Sequence, residues 1–409
     1  MKREVLSNGA AILSLKRQKD YTARIIIASK LGYVNEPRKK KGLAHLLEHA
    51  ILSANIKKYN FIRVAEILDS LGSYQNGRTG YESVSVYGYT QKTSFEKFSD
   101  IMSEICLEPQ FNSKAFRTEK NIILTEYKGH LDDPCKYISS FFLRGLYKKG
   151  PLRTSIQDKI RALKRITLGD AIKAHKTYFS PNNLVVGIFG NFKLNSYNKM
   201  KDKIERLQNG SHRNGNIPKG DMKPFRKRTV EKKVDMKQVY IQTGVKTATV
   251  ESEDMHALRI ISTLLTCGDS SRLFNQLRLK RGLVYFVHSK NIIGKDYGFF
   301  YVKTGTQKNK GKESLKIIKN EFRKLRNQRV SRRELKKAKN MIIGLRKAEY
   351  DNPLRGPLRF VRNEIVLGNV NRERENMKKL KKVTEEEVHQ VAKKYFSEDS
   401  FSTAIIRPK

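Results

Sequence analysis

Three residues in one short segment could bind a metal ion and activate water. His45, Glu48 and His49 lie within Gly42–Leu52, which reads GLAHLLEHAIL. In a helix, residues four apart lie one turn apart on the same face, so His45 and His49 could bind one metal ion with Glu48 beside it. A catalytic zinc takes three protein ligands and keeps a fourth position open for water. The sequence therefore predicts a third ligand elsewhere in the chain and Glu48 as a general base.

An internal repeat indicates that the chain contains two halves of one design. Three short segments recur 217 or 219 positions further on. The matched pairs are 163–167 with 380–384, 178–180 with 395–397, and 120–123 with 339–342. Strand-like and helix-like patterns of apolar residues occur in both halves. We predict an α+β fold of two homologous domains, each a mostly antiparallel sheet packed with helices.

The candidate metal residues all fall in the first of these domains, residues 1–205. Residues 206–228 are rich in Gly, Pro, Asn and charge without periodicity, which is typical of a linker. The second domain, residues 229–409, contains no H-x-x-E-H motif, and His256 stands alone there. We expect metal chemistry in the first domain only.

The repeat also points to the third ligand. Glu119 and Glu126 lie on a predicted helix, and their counterparts 219 positions on are Ala338 and Leu345. Carboxylates seven apart on a helix point to the same side. Glu126 is therefore a candidate third ligand, and Glu119 a candidate to orient one of the histidines. His130 is an alternative ligand, but we favour Glu126 because we expect His130 in a loop.

With these residues the sequence resembles the M16 family of inverzincin metallopeptidases over essentially its whole length. The H-x-x-E-H motif is present, and Glu126 follows His49 by 77 positions, as in the family pattern. Residues 72–79 resemble the segment before the family's substrate-binding strand, and residues 270–285 its distal Arg/Tyr signature. The length is that of short, bacterial or mitochondrial-processing-peptidase-like members, whose two domains face each other across a cleft. The resemblance implies one Zn²⁺ per chain, bound by His45, His49 and Glu126.

The resemblance further implies how a substrate is bound. An extended peptide would pair with a free sheet edge at a strand predicted over residues 80–90. Arg278 and Tyr285, from the domain without metal, would reach across the cleft to a substrate carbonyl and to the oxyanion. The residues expected to bind the substrate are Asn76, Tyr81, Ser83, Arg278 and Tyr285.

The sequence departs from the family pattern at three positions near the site and in the Gly-rich turn, which Ser73-Tyr74-Gln75 loosens. Ala50, Gly77 and Val84 stand where Met, Ala and Thr are common. None of these changes removes a group that hydrolysis needs. We expect them to affect substrate preference more than activity.

The chain is strongly basic, with 84 Lys and Arg against 40 Asp and Glu and a formal net charge of +44. The basic residues are spread along the whole chain, and no RNA-recognition, zinc-finger or P-loop signature accompanies them. We therefore expect no specific nucleic-acid binding. A basic cleft would favour acidic or neutral peptides over basic ones.

The cysteines and the apolar segments bear on the cellular compartment. Cys106, Cys135 and Cys267 are odd in number and widely spaced, which argues against a disulfide framework. No apolar run reaches the length of about 18 residues that a transmembrane helix needs. The N-terminal segment lacks the features of a signal peptide. We expect a cytoplasmic protein without membrane insertion.

The predicted function is that of a zinc-dependent endopeptidase, which hydrolyses peptides or unfolded polypeptides in an enclosed chamber. The alternative is a catalytically silent, scaffold-type member of the same family that acts through protein–protein contacts. That alternative predicts loss of the metal ligands, and all of them are present here. Family members of this length often pair, so we expect a homodimer, with a heterodimer with a related chain as the other possibility.

Overall fold

The computed structural model describes residues 1–210 and 228–409. The strands are β1 (Lys2–Val5), β2 (Ala11–Lys16), β3 (Thr22–Ser29), β4 (Tyr74–Thr79), β5 (Val84–Gln91), β6 (Leu184–Gly190), β7 (Arg228–Val234), β8 (Gln238–Lys246), β9 (Val284–Ile293), β10 (Gly298–Gln307) and β11 (Ser402–Pro408). The helices are α1 (Leu43–Leu52), α2 (Phe61–Ser70), α3 (Phe95–Leu107), α4 (Ser113–Asp132), α5 (Pro134–Leu146), α6 (Ile156–Arg165), α7 (Leu168–Tyr178), α8 (Leu194–Glu205), α9 (Asp254–Thr266), α10 (Gly311–Asn327), α11 (Arg332–Asp351), α12 (Arg355–Leu367), α13 (Arg372–Lys382) and α14 (Glu385–Tyr395). None of these helices combines the length and the apolarity that crossing a membrane requires.

The described residues form two compact units, and neither is continuous in sequence. The first contains residues 1–127, 157–210 and 349–372, and the second contains residues 128–156, 228–348 and 373–409. Helix α12 therefore belongs to the unit of the first sheet, and α5 to the unit of the second. Of the predicted linker, residues 211–227 lie outside the described residues, so the domain boundaries at 205 and 229 stay predictions.

Each unit is built on one mostly antiparallel sheet. The first sheet has the strand order β1-β2-β6-β3-β5-β4, in which only β2 and β6 are parallel. The second has the order β7-β11-β8-β10-β9, in which only β7 and β11 are parallel. Helices pack on these sheets to bury their apolar faces. The predicted α+β fold with two sheet-and-helix halves is confirmed.

Helices cover both faces of the first sheet. Helices α1 and α3 pack on one face, against β3, β4 and β5. On the other face, Val361 and Ile365 of α12 join a buried cluster with residues of β2, β3 and β6. Helix α1, which carries the H-x-x-E-H motif, is thus held directly against the strand at the end of this sheet.

The sequence repeat corresponds to similar contacts in each unit. Thr167 and Asp170 form a capping box at the start of α7, and Thr384 and Glu387 form one at the start of α14. The ammonium of Lys120 on α4 donates to the carbonyls of residues 164 and 166. That of Lys339 on α11 donates to the carbonyl of residue 381. The matched segments 163–167 and 380–384 therefore join two helices in each unit, and the matched lysines donate to their carbonyls.

The strand predicted over residues 80–90 is wrong in its bounds and in its place in the sheet. Residues 80–83 form a turn in which the Gly80 N–H donates to the Ser83 carbonyl, and β5 begins only at Val84. Strand β5 lies between β3 and β4, so it has no free edge; β4 is the strand at the end of the sheet. Strand β4 reads YQNGRT and contains no aliphatic residue, so the alternation of apolar and polar residues does not predict it.

Candidate metal centre

Helix α1 is fixed at its N-terminus by a carboxylate. It begins after Gly42, whose φ of 93° lies in the left-handed region that glycine adopts readily. The first turn of a helix leaves N–H groups without helical partners. Glu36 accepts two hydrogen bonds there, from the N–H groups of Gly42 and Ala44, each at 3.0 Å. The negative charge also complements the helix dipole, so Glu36 stabilises the start of the helix that carries the motif.

Basic side chains surround this buried carboxylate. Lys41 donates to the Glu36 carbonyl at 3.1 Å, and the ammonium of Lys159 lies 3.8 Å from the ring centre of Tyr33. Burial raises the pKa of Glu36, while the charge of Lys159 and the two N–H groups oppose that rise. No spacing rule in the sequence identifies Glu36, because its partners lie six and eight residues away across a loop.

The structure brings together the three predicted metal ligands. Ligand atoms of His45, His49 and Glu126 all lie within 4.8 Å of one another, and no other such group of three occurs in the part of the chain that the structure describes. The Nε2 atom of His45 is 3.7 Å from a carboxylate oxygen of Glu126. The two histidine rings are perpendicular, with their centres 4.8 Å apart. His130 is not part of this group; it lies in the last turn of α4 rather than in the expected loop.

The donor set fits a zinc ion. Two ligands at about 2.0–2.1 Å from a tetrahedral zinc lie roughly 3.3–3.4 Å apart, close to the separation of His45 Nε2 and the Glu126 oxygen. Two imidazoles and one carboxylate leave a fourth position open, as catalytic zinc sites do. The same donors also accept other divalent ions.

Glu119 pairs with one of the two histidines. Its carboxylate lies 3.0 Å from Nδ1 of His49, and both side chains are about one-fifth exposed. With the proton on Nδ1, His49 would donate this hydrogen bond and leave Nε2 available to a metal ion. Glu119 and Glu126 lie two turns apart on α4, as their spacing in the sequence predicts.

Strand β4 contacts Glu48, the carboxylate of the H-x-x-E-H motif. The hydroxyl of Thr79 donates a hydrogen bond to the carboxylate of Glu48, which is buried. A Cβ atom at Gly77 would lie 2.5 Å from the Glu48 side chain, so a larger residue there would require the Glu48 carboxylate to shift. Burial raises the pKa of Glu48, and the hydrogen bond from Thr79 offsets part of that rise. Sequence reasoning gave Thr79 no role, because its contact with Glu48 depends on the packing of β4 on α1.

The predicted substrate-binding residues lie in different settings. Asn76 is exposed on β4, where its amide donates to the Tyr74 hydroxyl. Tyr81 and Ser83 lie in the turn before β5, and their main-chain carbonyls already accept hydrogen bonds within the unit. Arg278 and Tyr285 belong to the second unit. Arg278 lies in a π-helical turn with its guanidinium 5.1 Å from the ring centre of the phenylalanine four residues earlier, and Tyr285, on β9, is 79% exposed.

Two family models of known proteins match most of the chain. The model described as Insulinase (Peptidase family M16) matches residues 11–158, and the model described as Peptidase M16 inactive domain matches residues 165–342. An uncharacterized zinc protease of Bacillus subtilis is 23% identical over 409 residues, covering 100% of this chain and 98% of the relative. An uncharacterized zinc protease of Rickettsia felis is 25% identical over 416 residues, covering 98% and 96%.

Solved structures share the fold over the whole length. A protease from Helicobacter pylori superposes with a TM-score of 0.89 at 20% identity, covering 100% of this chain and 99% of that one. A peptidase M16 inactive domain from Pseudomonas fluorescens gives a TM-score of 0.88 at 17% identity, covering 100% and 98%. Both family models and the named relatives indicate the same family as the sequence resemblance, and the chain belongs to the peptidase M16 family.

Proposed function

We propose that this chain is a zinc-dependent endopeptidase that hydrolyses peptides or unfolded polypeptides. The observation that supports this most is the arrangement on α1 and its neighbours. Three ligand groups converge, and Glu48, between two of them in sequence, is held by β4. The relatives named zinc proteases support the same reading of the ligand set. We propose one zinc ion per chain.

Each side chain of the site would have a distinct part in hydrolysis. Zinc bound by His45, His49 and Glu126 would supply Lewis acidity and lower the pKa of water towards about 7. Glu48 would act as the general base, accepting the proton of the attacking water and delivering it to the leaving amine. Thr79, by donating to one oxygen of Glu48, would leave the other oxygen to handle that proton. Glu119 would keep His49 in the tautomer that binds the metal.

An extended peptide would be bound by the strand at the end of the first sheet. Strand β4 pairs with β5 on one side, and no other strand of the described residues pairs with its outer side. A peptide could add a strand there through main-chain hydrogen bonds, beside the exposed side chain of Asn76. Arg278 and Tyr285 stay predicted ligands of the substrate carbonyl and the oxyanion, on the strength of the family resemblance. A homodimer remains our expectation for the assembly.

The test compares the wild-type chain with Glu48→Gln on a panel of unfolded peptides, with bound zinc quantified in both. Glutamine keeps the shape of the side chain and leaves all three ligands in place. We expect about 10²- to 10⁴-fold slower turnover at unchanged zinc content, which is the usual contribution of a general base. Glu108→Gln, at an exposed position of the same unit, is the control for the lost charge. If wild type binds no zinc, or if Glu48→Gln turns over like wild type, the proposal fails and the scaffold alternative gains support.

A further inference from the structure

One face of the second sheet carries an unusual group of basic side chains. In the register of β9 and β10, His288 lies opposite Lys303, and Lys290 lies opposite Tyr301. Side chains two apart on a strand share a face, so His288, Lys290 and Lys303 project from the same side of the sheet. Helix α5 packs on this face over β7, β8 and β11. Lys290 is exposed, and His288 and Lys303 are half-buried.

The positive charge of this group is not balanced by carboxylates. Among the described residues, neither the lysines nor His288 form an ion pair. The ammonium of Lys303 donates to two neutral oxygens of α5, the Cys135 carbonyl at 2.9 Å and the Ser139 hydroxyl at 3.3 Å. Asp133 is the acid whose charge acts on Lys303, and its carboxylate accepts the N–H groups at the start of α5. The face is therefore locally cationic and suits an anionic ligand.

The environment of His288 agrees with this charge. Burial and the neighbouring lysines lower the pKa of His288 to about 4, so the imidazole is neutral near pH 7. A neutral imidazole can donate one hydrogen bond to a carboxylate. An anion bound beside the lysines would be stabilised by both ammonium groups at once.

An aromatic surface adjoins the basic group. The rings of Phe286 and Tyr240 have their centres 6.4 Å apart, and Phe286 stacks on His288 at 5.7 Å. Gly305 lies between them, where a Cβ atom would come within 3.0 Å of the Phe286 ring and 3.4 Å of the Tyr240 ring. Because glycine adds no side chain there, the two rings are free to contact the apolar part of a ligand.

We propose that Lys290, Lys303 and His288 form a subsite for a carboxylate of a bound peptide, with Phe286 and Tyr240 contacting the adjacent apolar atoms. The carboxylate is that of an acidic side chain or of the peptide's C-terminus, which share this chemistry. Membership of a peptidase family favours a peptide over a nucleic acid as the ligand. The identity of that peptide as a substrate rests on the proposed function; the binding itself does not.

The test measures peptide binding without turnover, by fluorescence anisotropy on the full-length Glu48→Gln chain. Labelled unstructured peptides of one sequence carry either Glu or Gln at the central position, each with a free or an amidated C-terminus. We expect the Glu or free-carboxylate peptides to bind more tightly. Lys290→Gln and Lys303→Gln should each reduce that preference about three- to fivefold, which corresponds to the upper range of an exposed ion pair.

Two controls separate this subsite from general charge and from folding. Lys316→Gln removes the same charge from an exposed position on α10 and should leave the preference unchanged. Lys290→Arg should retain the preference, and Lys290 is exposed, so its substitution does not disturb the packing of α5. If affinity depends on Glu against Gln at the central position, the carboxylate is that of a side chain. If affinity depends on the free against the amidated end, the carboxylate is that of the C-terminus.

Three results would overturn the subsite. The first is equal affinity for all four peptides, and the second is an equal loss of the carboxylate preference in Lys316→Gln. The third is displacement of the peptide by an equimolar single-stranded oligonucleotide that binds through the same lysines. Failure of the proposed function looks different, because it appears as a wild-type chain that binds these peptides with the carboxylate preference but cuts none. Cleavage without any carboxylate preference would leave the peptidase standing and remove the subsite.

Discussion

Glu119 gives the candidate metal centre a test that does not depend on finding a substrate. Its carboxylate lies 3.0 Å from Nδ1 of His49, where it would fix both the tautomer and the orientation of the ring. Glu119→Gln replaces the carboxylate by an amide of similar shape, and so removes the negative charge that would make the imidazole a stronger ligand. Glu119→Ala removes the hydrogen bond altogether and leaves the ring free to rotate about χ2.

The size of the effect follows from the exposure of the pair. Loss of an outer hydrogen bond to a ligating histidine lowers metal affinity by about 10- to 100-fold, or about 1.4–2.7 kcal/mol. Both side chains are about one-fifth exposed, so solvent replaces part of the interaction in the variants. We expect about a tenfold loss of zinc affinity for Glu119→Gln and a larger loss, towards about 100-fold, for Glu119→Ala.

The assay is competition for zinc between the protein and a chromophoric chelator at pH 7.5. Glu108→Gln, which removes an exposed glutamate from the same unit, is the control for net charge. Equal zinc affinity in wild type and Glu119→Ala would show that the bond to His49 has no part in metal binding. An equal loss in Glu108→Gln would assign the effect to the charge of the chain.

Two further substitutions test the support of the general base and the acid stability of the second unit. Thr79→Val should lower turnover about tenfold at unchanged zinc content, because Glu48 loses its charge-assisted hydrogen bond. Thr79→Ser keeps the hydroxyl and should restore turnover. Unchanged turnover in Thr79→Val would contradict a role of Thr79 in supporting the general base. Arg272 donates two hydrogen bonds to Glu334 and lowers the pKa of that carboxyl to about 2, below its unfolded value near 4.3. This pair therefore stabilises the fold above about pH 4.3 and loses that contribution as pH falls towards 2. After allowance for partial exposure, we expect Glu334→Gln to lower the free energy of unfolding by about 1–2 kcal/mol at pH 7. Between pH 5 and 3 this variant should lose less stability than wild type, as measured by denaturant unfolding. Parallel pH profiles of stability in the two proteins would refute the contribution of the Arg272–Glu334 pair.

The grouping of the candidate ligands could be predicted from sequence because helix geometry fixes their spacing locally. His45 and His49 are one turn apart on any helix, and Glu119 and Glu126 are two turns apart on another. The repeat then distinguished the carboxylates by their replacement in the second half. Only the meeting of the two helices required the structure.

The support of the site could not be predicted in the same way. Glu36 binds the start of α1 across a loop, and Thr79 reaches Glu48 from a strand in another part of the chain. Such contacts depend on tertiary packing, which leaves no periodic pattern in the sequence. The sequence does not predict strand β4 for a related reason. Periodicity indicates strands that bury aliphatic residues on one face, and β4 contains no aliphatic residue.

The two units share a scaffold but differ at the position of the carboxylate that pairs with His49. Lys120 on α4 and Lys339 on α11 each donate to a carbonyl at matching positions of the repeat, residues 164 and 381. The position that corresponds to Glu119 in the second unit is Ala338, which is fully buried in the apolar core. A carboxylate there would lose its hydration without a histidine to pair with, and burial of an unpaired charge is strongly unfavourable. The second unit therefore uses for core packing the position at which the first has the carboxylate that pairs with His49.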